Sequence, residues 1–270
     1  MSDAPAKPVL LTGASGALGR VLVRALGAAG WRLRLTDRAP FPDPLPAGAS
    51  FTAADLGDGM AILRLAEGCG AILHFGGVSV ERPFEEVLGP NLRGLYHVYE
   101  AARREGARVV FASSNHAVGF HERSETISVE DPFLPDGYYG LSKAYGELMG
   151  RMYWMKHGVE SVFVRIGSCL PEPVNARMLA SYLSFDDLVR LVTRAVLTPS
   201  VGAYVVWGAS ANRAMTWWGG DDRAAIGWVP EDSADPFAAQ LAGRVSADPV
   251  EERYMGGAFC RIGYSRDETA

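Results

Sequence analysis

Val9-Leu10-Leu11-Thr12-Gly13-Ala14-Ser15-Gly16-Ala17-Leu18-Gly19 reads as a short apolar strand, a glycine turn and the opening of a helix. The helix follows from Leu18, Val21, Leu22, Ala25, Leu26 and Ala29, which recur at helical spacing. In that setting each glycine has a task. Gly13 allows the tight turn, Gly16 lets the backbone approach a pyrophosphate, and Gly19 lets the helix pack closely on the strand. The free N–H groups of the helix start, those of Ala17 and Leu18 among them, suit phosphate, as does the positive dipole end. The stretch therefore predicts a dinucleotide site, with a plain structural glycine turn as the alternative.

The rest of the chain continues the alternation. Trp31 to Leu35 reads as a second strand ending at Asp37, and Ser50 to Ala54 as a third ending at Asp55. Ala71 to Phe75 reads as a fourth, stopped by Gly76-Gly77, and a long helix is expected over Glu85 to Glu105. Arg108 to Ala112 is a fifth strand, a helix runs from about Tyr139 to His157, and Ser161 to Ile166 is a sixth strand. A helix over Phe185 to Leu197 and a strand near Tyr204 to Trp207 complete the pattern. Strands joined by helical crossovers imply an α/β fold, a Rossmann-like doubly wound parallel sheet. Residues 1–166 are expected to form the cofactor-binding core, including the helix that starts near Tyr139. Residues 167–270 are expected to form mainly a small substrate-binding lobe interleaved with that core. The tryptophans Trp207, Trp217, Trp218 and Trp228 are expected to pack in that lobe.

In such a sheet, ligands bind beyond the carboxyl ends of the strands. Asp37 stands where a carboxylate can accept from both hydroxyls of an adenosine ribose, and it would repel a 2′-phosphate, so NAD is expected rather than NADP. Arg38 beside it is the residue that could instead meet such a phosphate. Asp55 and Leu56 are expected near the adenine, and Phe75, Gly76 and Gly77 near the ribose and nicotinamide. Asn91, Ser113, Tyr139, Lys143 and Ile166 complete the expected cofactor set, with Lys143 expected to bind the nicotinamide ribose. Ser113-Ser114-Asn115-His116 deliver hydroxyl and amide groups to the same crevice, and one of the two serines is expected merely to cap the strand end.

Tyr139-Gly140-Leu141-Ser142-Lys143 places a phenol and an ammonium one helical turn apart on one face. A phenol of pKa near 10 is a poor base at neutral pH, and positive charge beside it favours the phenolate. The pair could then take a proton from an alcohol while a hydride leaves the same carbon.

Composition narrows the class. The 270 residues carry a formal net charge of −5, and 48% are hydrophobic, which gives no basic surface for nucleic acid and an ordinary globular core. Cys69, Cys169 and Cys260 are far apart and lack CxxC spacing, so neither a disulfide framework nor a zinc site is expected, and no other metal is implied. No apolar run is long enough to span a membrane, and Met1 to Pro8 reads as a loose tail without a signal-peptide pattern. A cytoplasmic protein is the expectation. The two long helices carry Tyr96, Tyr99, Met149, Met152, Tyr153 and Trp154 on more than one face, which predicts a homo-oligomer.

These motifs resemble the short-chain dehydrogenase/reductase superfamily. The spacing Thr12-Gly13-x-x-Gly16-x-x-Gly19 is similar to its extended, sugar-nucleotide-epimerase-like branch. Within that branch, several strings resemble bacterial dehydrogenases of free uronic acids. They are Gly76-Gly77-Val78-Ser79-Val80-Glu81-Arg82-Pro83-Phe84, Phe111-Ala112-Ser113-Ser114-Asn115-His116, and Gly137-Tyr138-Tyr139-Gly140-Leu141-Ser142-Lys143. Val164 to Cys169, Pro171-Glu172-Pro173 leading to Arg177-Met178-Leu179, and Val206 to Asn212 continue the likeness. The resemblance implies NAD-dependent oxidation of galacturonate and glucuronate at C1 to an aldaro-lactone, with Ser114, Tyr139 and Lys143 catalytic. It implies that Ser79, Asn115, Ser168 and Arg177 hold the sugar acid, beside Ser114 and Tyr139. His116 is expected in the same substrate set, either as an acid or base or, more simply, through a supporting hydrogen bond. Residues 167–270 leave little material to grip a nucleotide-diphosphate sugar, and arginine is the best planar donor for a carboxylate. A nucleotide-sugar epimerase or dehydratase, and a non-catalytic NAD-sensing protein, are the rival readings.

Overall fold

The strand residues of the core alternate between two apolar faces, as a half-turn per residue dictates. The computed structural model describes residues 4–266. In chain order its elements begin with β1 (Val9–Thr12), α1 (Ala17–Ala28), β2 (Leu33–Asp37), β3 (Ser50–Ala53), α2 (Gly59–Ala66) and β4 (Ala71–His74). Next come α3 (Phe84–Val87), α4 (Gly94–Glu105), β5 (Arg108–Ser114), α5 (Tyr138–His157), β6 (Ser161–Ile166) and β7 (Ser168–Cys169). The C-terminal part contains α6 (Met178–Ser181), β8 (Tyr182–Leu183), α7 (Phe185–Leu197), β9 (Ala203–Gly208), α8 (Ala238–Leu241), α9 (Pro249–Arg253) and α10 (Ala258–Arg261).

Seven strands form one parallel sheet in the order β3-β2-β1-β4-β5-β6-β9. The order reverses direction between β1 and β4, and the crevice for a ligand opens at that switch point. Leu10, Ile72, Val109, Phe111, Phe163 and Trp207 face one way, against α2, α4 and α5. Leu11, Leu35, Leu73, Val110, Val162 and Val206 face the other way, against α1 and α7. Each such leucine or valine contributes about 1.5–3 kcal/mol by leaving water. The tryptophans Trp207, Trp217, Trp218 and Trp228 are buried, and Trp207 stacks on Trp218 with ring centres 4.9 Å apart. Residues 167–266 do not stand apart: β9 extends the sheet beside β6, and α7 packs with α1.

Three local readings need correction. The helix expected over Glu85 to Glu105 is broken by a π-helical turn, Leu88–Arg93, around Pro90, whose missing N–H and bulky ring forbid the regular ladder. β5 continues two residues beyond Ala112, because Ser113 and Ser114 still pair with Arg165 and Ile166. Helix α2 carries too short an apolar pattern to be legible. Of the stretch expected to be a loose tail, residues 1–3 lie outside the described residues. Residues 4–8 are tied down: the Pro8 carbonyl accepts from Gly70 N–H at 2.9 Å. Among the described residues no helix is long and apolar enough to cross a membrane.

Candidate active site

The glycine turn leaves no room for side chains. Gly13 has φ +74°, and a Cβ there would lie 2.4 Å from the Phe75 carbonyl oxygen. A Cβ on Gly19 would lie 2.1 Å from the Gly13 oxygen. Helix α1 starts with no side-chain cap and no acidic residue in its first turn, so its N-terminal amides remain for an anion. This end faces a crevice of about 620 Å³ that runs over the sheet switch point. Gly13, Gly16, Ala17, Leu18, Gly19, Asp37, Arg38, Asp55, Leu56, Phe75, Gly76, Gly77, Ser113 and Ile166, expected to hold the cofactor, all line it.

Asp37 is oriented at one end of the crevice by two backbone donors, Ser15 N–H to Oδ2 at 3.1 Å and Ala39 N–H to Oδ1 at 3.3 Å. Its oxygens keep lone pairs for further donors such as ribose hydroxyls. Arg38 is largely exposed and pairs loosely with Asp55 at 3.6 Å. A free anion-binding amide end with a carboxylate held beside the glycine turn fits a dinucleotide with an unmodified ribose. Asn91 is a correction. It does not line the crevice, because its amide is engaged elsewhere. Oδ1 accepts from Val78 N–H at 2.7 Å, and Nδ2 donates to the Val78 carbonyl and to Ser142 Oγ, each at 2.9 Å. It ties the loop after β4 to α5.

At the other end of the crevice are Ser79, Ser114, His116, Tyr139 and Lys143. Lys143 Nζ donates to the Ala112 carbonyl at 2.8 Å and stands 5.3 Å from the centre of the Tyr139 ring. The expected direction of the Tyr139 shift is corrected here. Burial pushes the phenol up to about 12, with the Asp136 charge adding to it and Ser114 opposing it. Burial also brings the Lys143 ammonium down to about 8, still cationic at neutral pH. Desolvation of a charge outweighs the attraction of its neighbour in so enclosed a site. Ser113 Oγ donates to Glu147 Oε1 at 2.6 Å, whereas the serine that caps the strand end is Ser114, whose Oγ accepts from His116 N–H at 3.2 Å. Glu147 in turn takes a bidentate pair from the buried Arg165, with Nη2 to Oε2 at 2.9 Å. This network fixes α5 to β5 and β6 beneath the Tyr139–Lys143 face.

A second cavity of about 560 Å³ adjoins the first, and His116, Gly167, Cys169 and Leu170 line both. Here the structure places Asn115, Ser168 and Arg177. Arg177 is half-buried. Its Nε donates to the Met255 carbonyl at 2.7 Å and its Nη1 to Ser168 Oγ at 3.3 Å. With the Asn115 amide oriented to satisfy both ends, Oδ1 accepts from Arg177 Nη2 at 2.9 Å and Nδ2 donates to the Ile166 carbonyl at 3.0 Å. Burial, with Arg123 nearby, draws the guanidinium down to about 10, so it remains charged at neutral pH. Of its five N–H groups, three are occupied and one on each terminal nitrogen remains. Cys169 is not a reactive thiol, since burial pushes it up to about 12.

Residues 9–200 match the model of the NAD dependent epimerase/dehydratase family. The chain belongs to this family. Within the family it is similar to the uronate dehydrogenase of Pseudomonas syringae pv. tomato, 48% identical over 97% of this chain and 96% of that one. It is 44% identical to the uronate dehydrogenase of Agrobacterium fabrum over 94% of this chain and 96% of that one. The crystal structure of a tyrosine-to-alanine mutant of uronate dehydrogenase from Agrobacterium tumefaciens, complexed with NAD, superposes with a TM-score of 0.89. That enzyme is 43% identical, over 94% of this chain and 97% of that one. The nicotinamide dinucleotide of this family is NAD, in keeping with Asp37.

Family membership leaves several residues of the site unread. Glu81 accepts from the N–H groups of Tyr138 and Tyr139, both at 2.9 Å, and so caps α5 from the loop that carries Ser79. Asp136, Met255 and Phe259 also contribute, and their spacing in the sequence gives no sign that the fold brings them together. Glu81 stood inside a motif already in view, and its carboxylate was the available signal for a helix start.

Proposed function

We propose that this chain is an NAD-dependent uronate dehydrogenase that oxidises free D-galacturonate and D-glucuronate at C1 to the aldaro-lactone. The observation that carries the substrate is Arg177, a held guanidinium with two unused N–H groups in the cavity beside the Tyr139–Lys143 crevice. A planar fork of donors suits a carboxylate.

In this reading Tyr139 takes the proton of the C1 hydroxyl, and Ser114 holds the reacting oxygen. Lys143 lies against the Tyr139 ring and keeps the positive side of the site toward the cofactor ribose. When bound in the crevice, NAD would supply the hydride acceptor and a positive ring charge that favours the phenolate. The protein supplies orientation and electrostatics. Arg177, Asn115 and Ser168 hold the carboxylate end, while Ser79 and His116 meet the sugar hydroxyls. Loss of the proton from the C1 hydroxyl and of the hydride from C1 leaves a lactone.

The division into a cofactor core, 1–166, and a mainly substrate-holding part, 167–270, belongs to the same proposal, as do a cytoplasmic location and homo-oligomerisation. Self-association is supported by large apolar side chains left exposed on α4 and α5, among them Tyr96, Leu148, Met152 and Met155. NADH absorbance with a panel of free sugars, uronates and nucleotide sugars tests the function. Accumulating NADH with galacturonate and glucuronate is expected. NADH formation only with nucleotide sugars, or none with any of them, would overturn it.

A further inference from the structure

Asp136 lies just ahead of α5, and its carboxylate is fully buried. Oδ2 accepts from His116 Nδ1 at 2.6 Å, whereas Oδ1 has no hydrogen-bond partner among the described residues. Three glycines from three segments make the space for it. A Cβ on Gly119 or on Gly256 would come within 2.0 Å of Oδ2, and one on Gly140 within 2.9 Å of Oδ1. A buried carboxylate with an unpartnered oxygen is costly, and a neutral amide of the same shape would fill the niche at lower cost. What the carboxylate does and an amide cannot is accept only, so the ring nitrogen facing it must carry the proton.

The rest of the His116 ring is equally constrained. Phe259 stacks on it with centres 3.9 Å apart and 14° between planes, and Tyr139 meets it at 5.8 Å and 63°. The ring lines both cavities, and Nε2 has no hydrogen bond among the described residues. The titratable groups around the pair are Tyr139 on α5, Cys260 on α10, whose Sγ is 3.9 Å from Oδ2, and Arg177 ahead of α6. Arg177 offers only donors, and Ser79 and Ser114 can serve either way. The sugar hydroxyls, which are themselves donors, need an acceptor that stays an acceptor.

We propose that Asp136 is a positioning residue for the sugar acid: it holds His116 in the Nδ1–H form, so that Nε2 is presented to a substrate hydroxyl as a fixed acceptor. The proposal rests on the uronate reading above and adds to it a residue outside the expected set. It also gives the C-terminal segment a role, because Gly256 and Phe259 close the niche and the ring stack.

Nitrogen-15 NMR of the histidine rings in the full chain, above the imidazole titration, reads the tautomer directly, with His116→Gln identifying the His116 signals. Nδ1–H is expected in the parent protein. Asp136→Asn should populate the Nε2–H form and raise KM for galacturonate roughly two- to tenfold, the worth of one hydrogen bond, with the Kd for NAD unchanged. Nε2–H in the parent protein overturns the proposal, even if Asp136→Asn does not fold. So does an Asp136→Asn protein with unchanged tautomer and KM, or one whose NAD binding weakens in step with KM. A parent protein inactive on uronates would overturn the function proposed above, while the ring spectra still decide the role of Asp136 separately.

Discussion

The two adjoining cavities are built differently. The crevice is made by strand ends of one sheet and by a glycine turn, from residues that run almost in order from Thr12 to Lys143 and end with Ile166 to Leu170. Much of its lining is backbone, and its floor is pinned by the buried Glu147–Arg165 pair. The second cavity is assembled from residues 115–123, 167–178, 244–246 and 251–259, segments far apart in the chain that are tied by a few backbone bonds, such as Gly256 N–H to the Gly119 carbonyl at 2.8 Å, and by the side chain of Arg177. A wall of backbone serves a ligand that many enzymes share, whereas a wall of individual side chains selects one. Changes in the crevice should therefore remove chemistry or cofactor, and changes in the second cavity should alter the choice of sugar.

The largest effect belongs to the base. Tyr139→Phe should lower kcat by about 10²–10⁴-fold, the usual worth of a positioned general base, with NAD affinity retained because only the hydroxyl is lost. Stopped-flow NADH formation together with a fluorescence titration of NAD measures both, and near-normal turnover would remove Tyr139 from the mechanism. Next comes the floor. Glu147→Ala leaves Arg165 as an unpaired buried cation and should cost about 3–5 kcal/mol in urea unfolding. A loss within 1 kcal/mol would mean that α5 is held by packing alone.

At the cofactor end, Asp37→Ala should weaken NAD by about tenfold and narrow the preference over NADP, as one charge-assisted pair is lost and Arg38 is left to meet a phosphate. Better use of NADP than NAD by the parent protein would show that Arg38, not Asp37, governs the choice. The smallest effect is on pH. The Asp136 charge raises the Tyr139 pKa. Removing it in Asp136→Asn should lower that pKa and move the rising limb of kcat/KM toward lower pH, by less than the effect of burial. A shift toward higher pH would contradict the sign.

The same contrast explains what could be read beforehand. The crevice was legible because apolar periodicity locates strand ends, and strand ends of a parallel sheet share one edge. Where it failed, at Asn91, the π turn at Pro90 swung the amide toward Val78 and Ser142. The Tyr139 shift was misjudged because spacing reveals a neighbouring charge but not burial. The second cavity was legible only through resemblance. Ser168 and Arg177 lie near each other in sequence, but Met255 reaches Arg177, and Phe259 reaches His116, from the far end of the chain beside short helices with no periodic signature. Asp136 carries no pattern at all, since its meaning depends on three glycines brought together by the fold.

The central claim is that Arg177 selects a sugar acid, and paired kinetics of Arg177→Ala on galacturonate and galactose test it. A bidentate charge-assisted pair contributes about 1.5–3 kcal/mol, so kcat/KM for galacturonate should fall roughly ten- to a hundredfold or more, mainly through KM. Arg177→Lys should recover only part of the loss, because an ammonium cannot form the planar fork. Galactose should be a poor substrate of the parent protein and barely respond to Arg177→Ala. Equal loss on both sugars would make Arg177 a support for the Met255 loop, and a parent protein that oxidises galactose as well as galacturonate would contradict the uronate assignment itself.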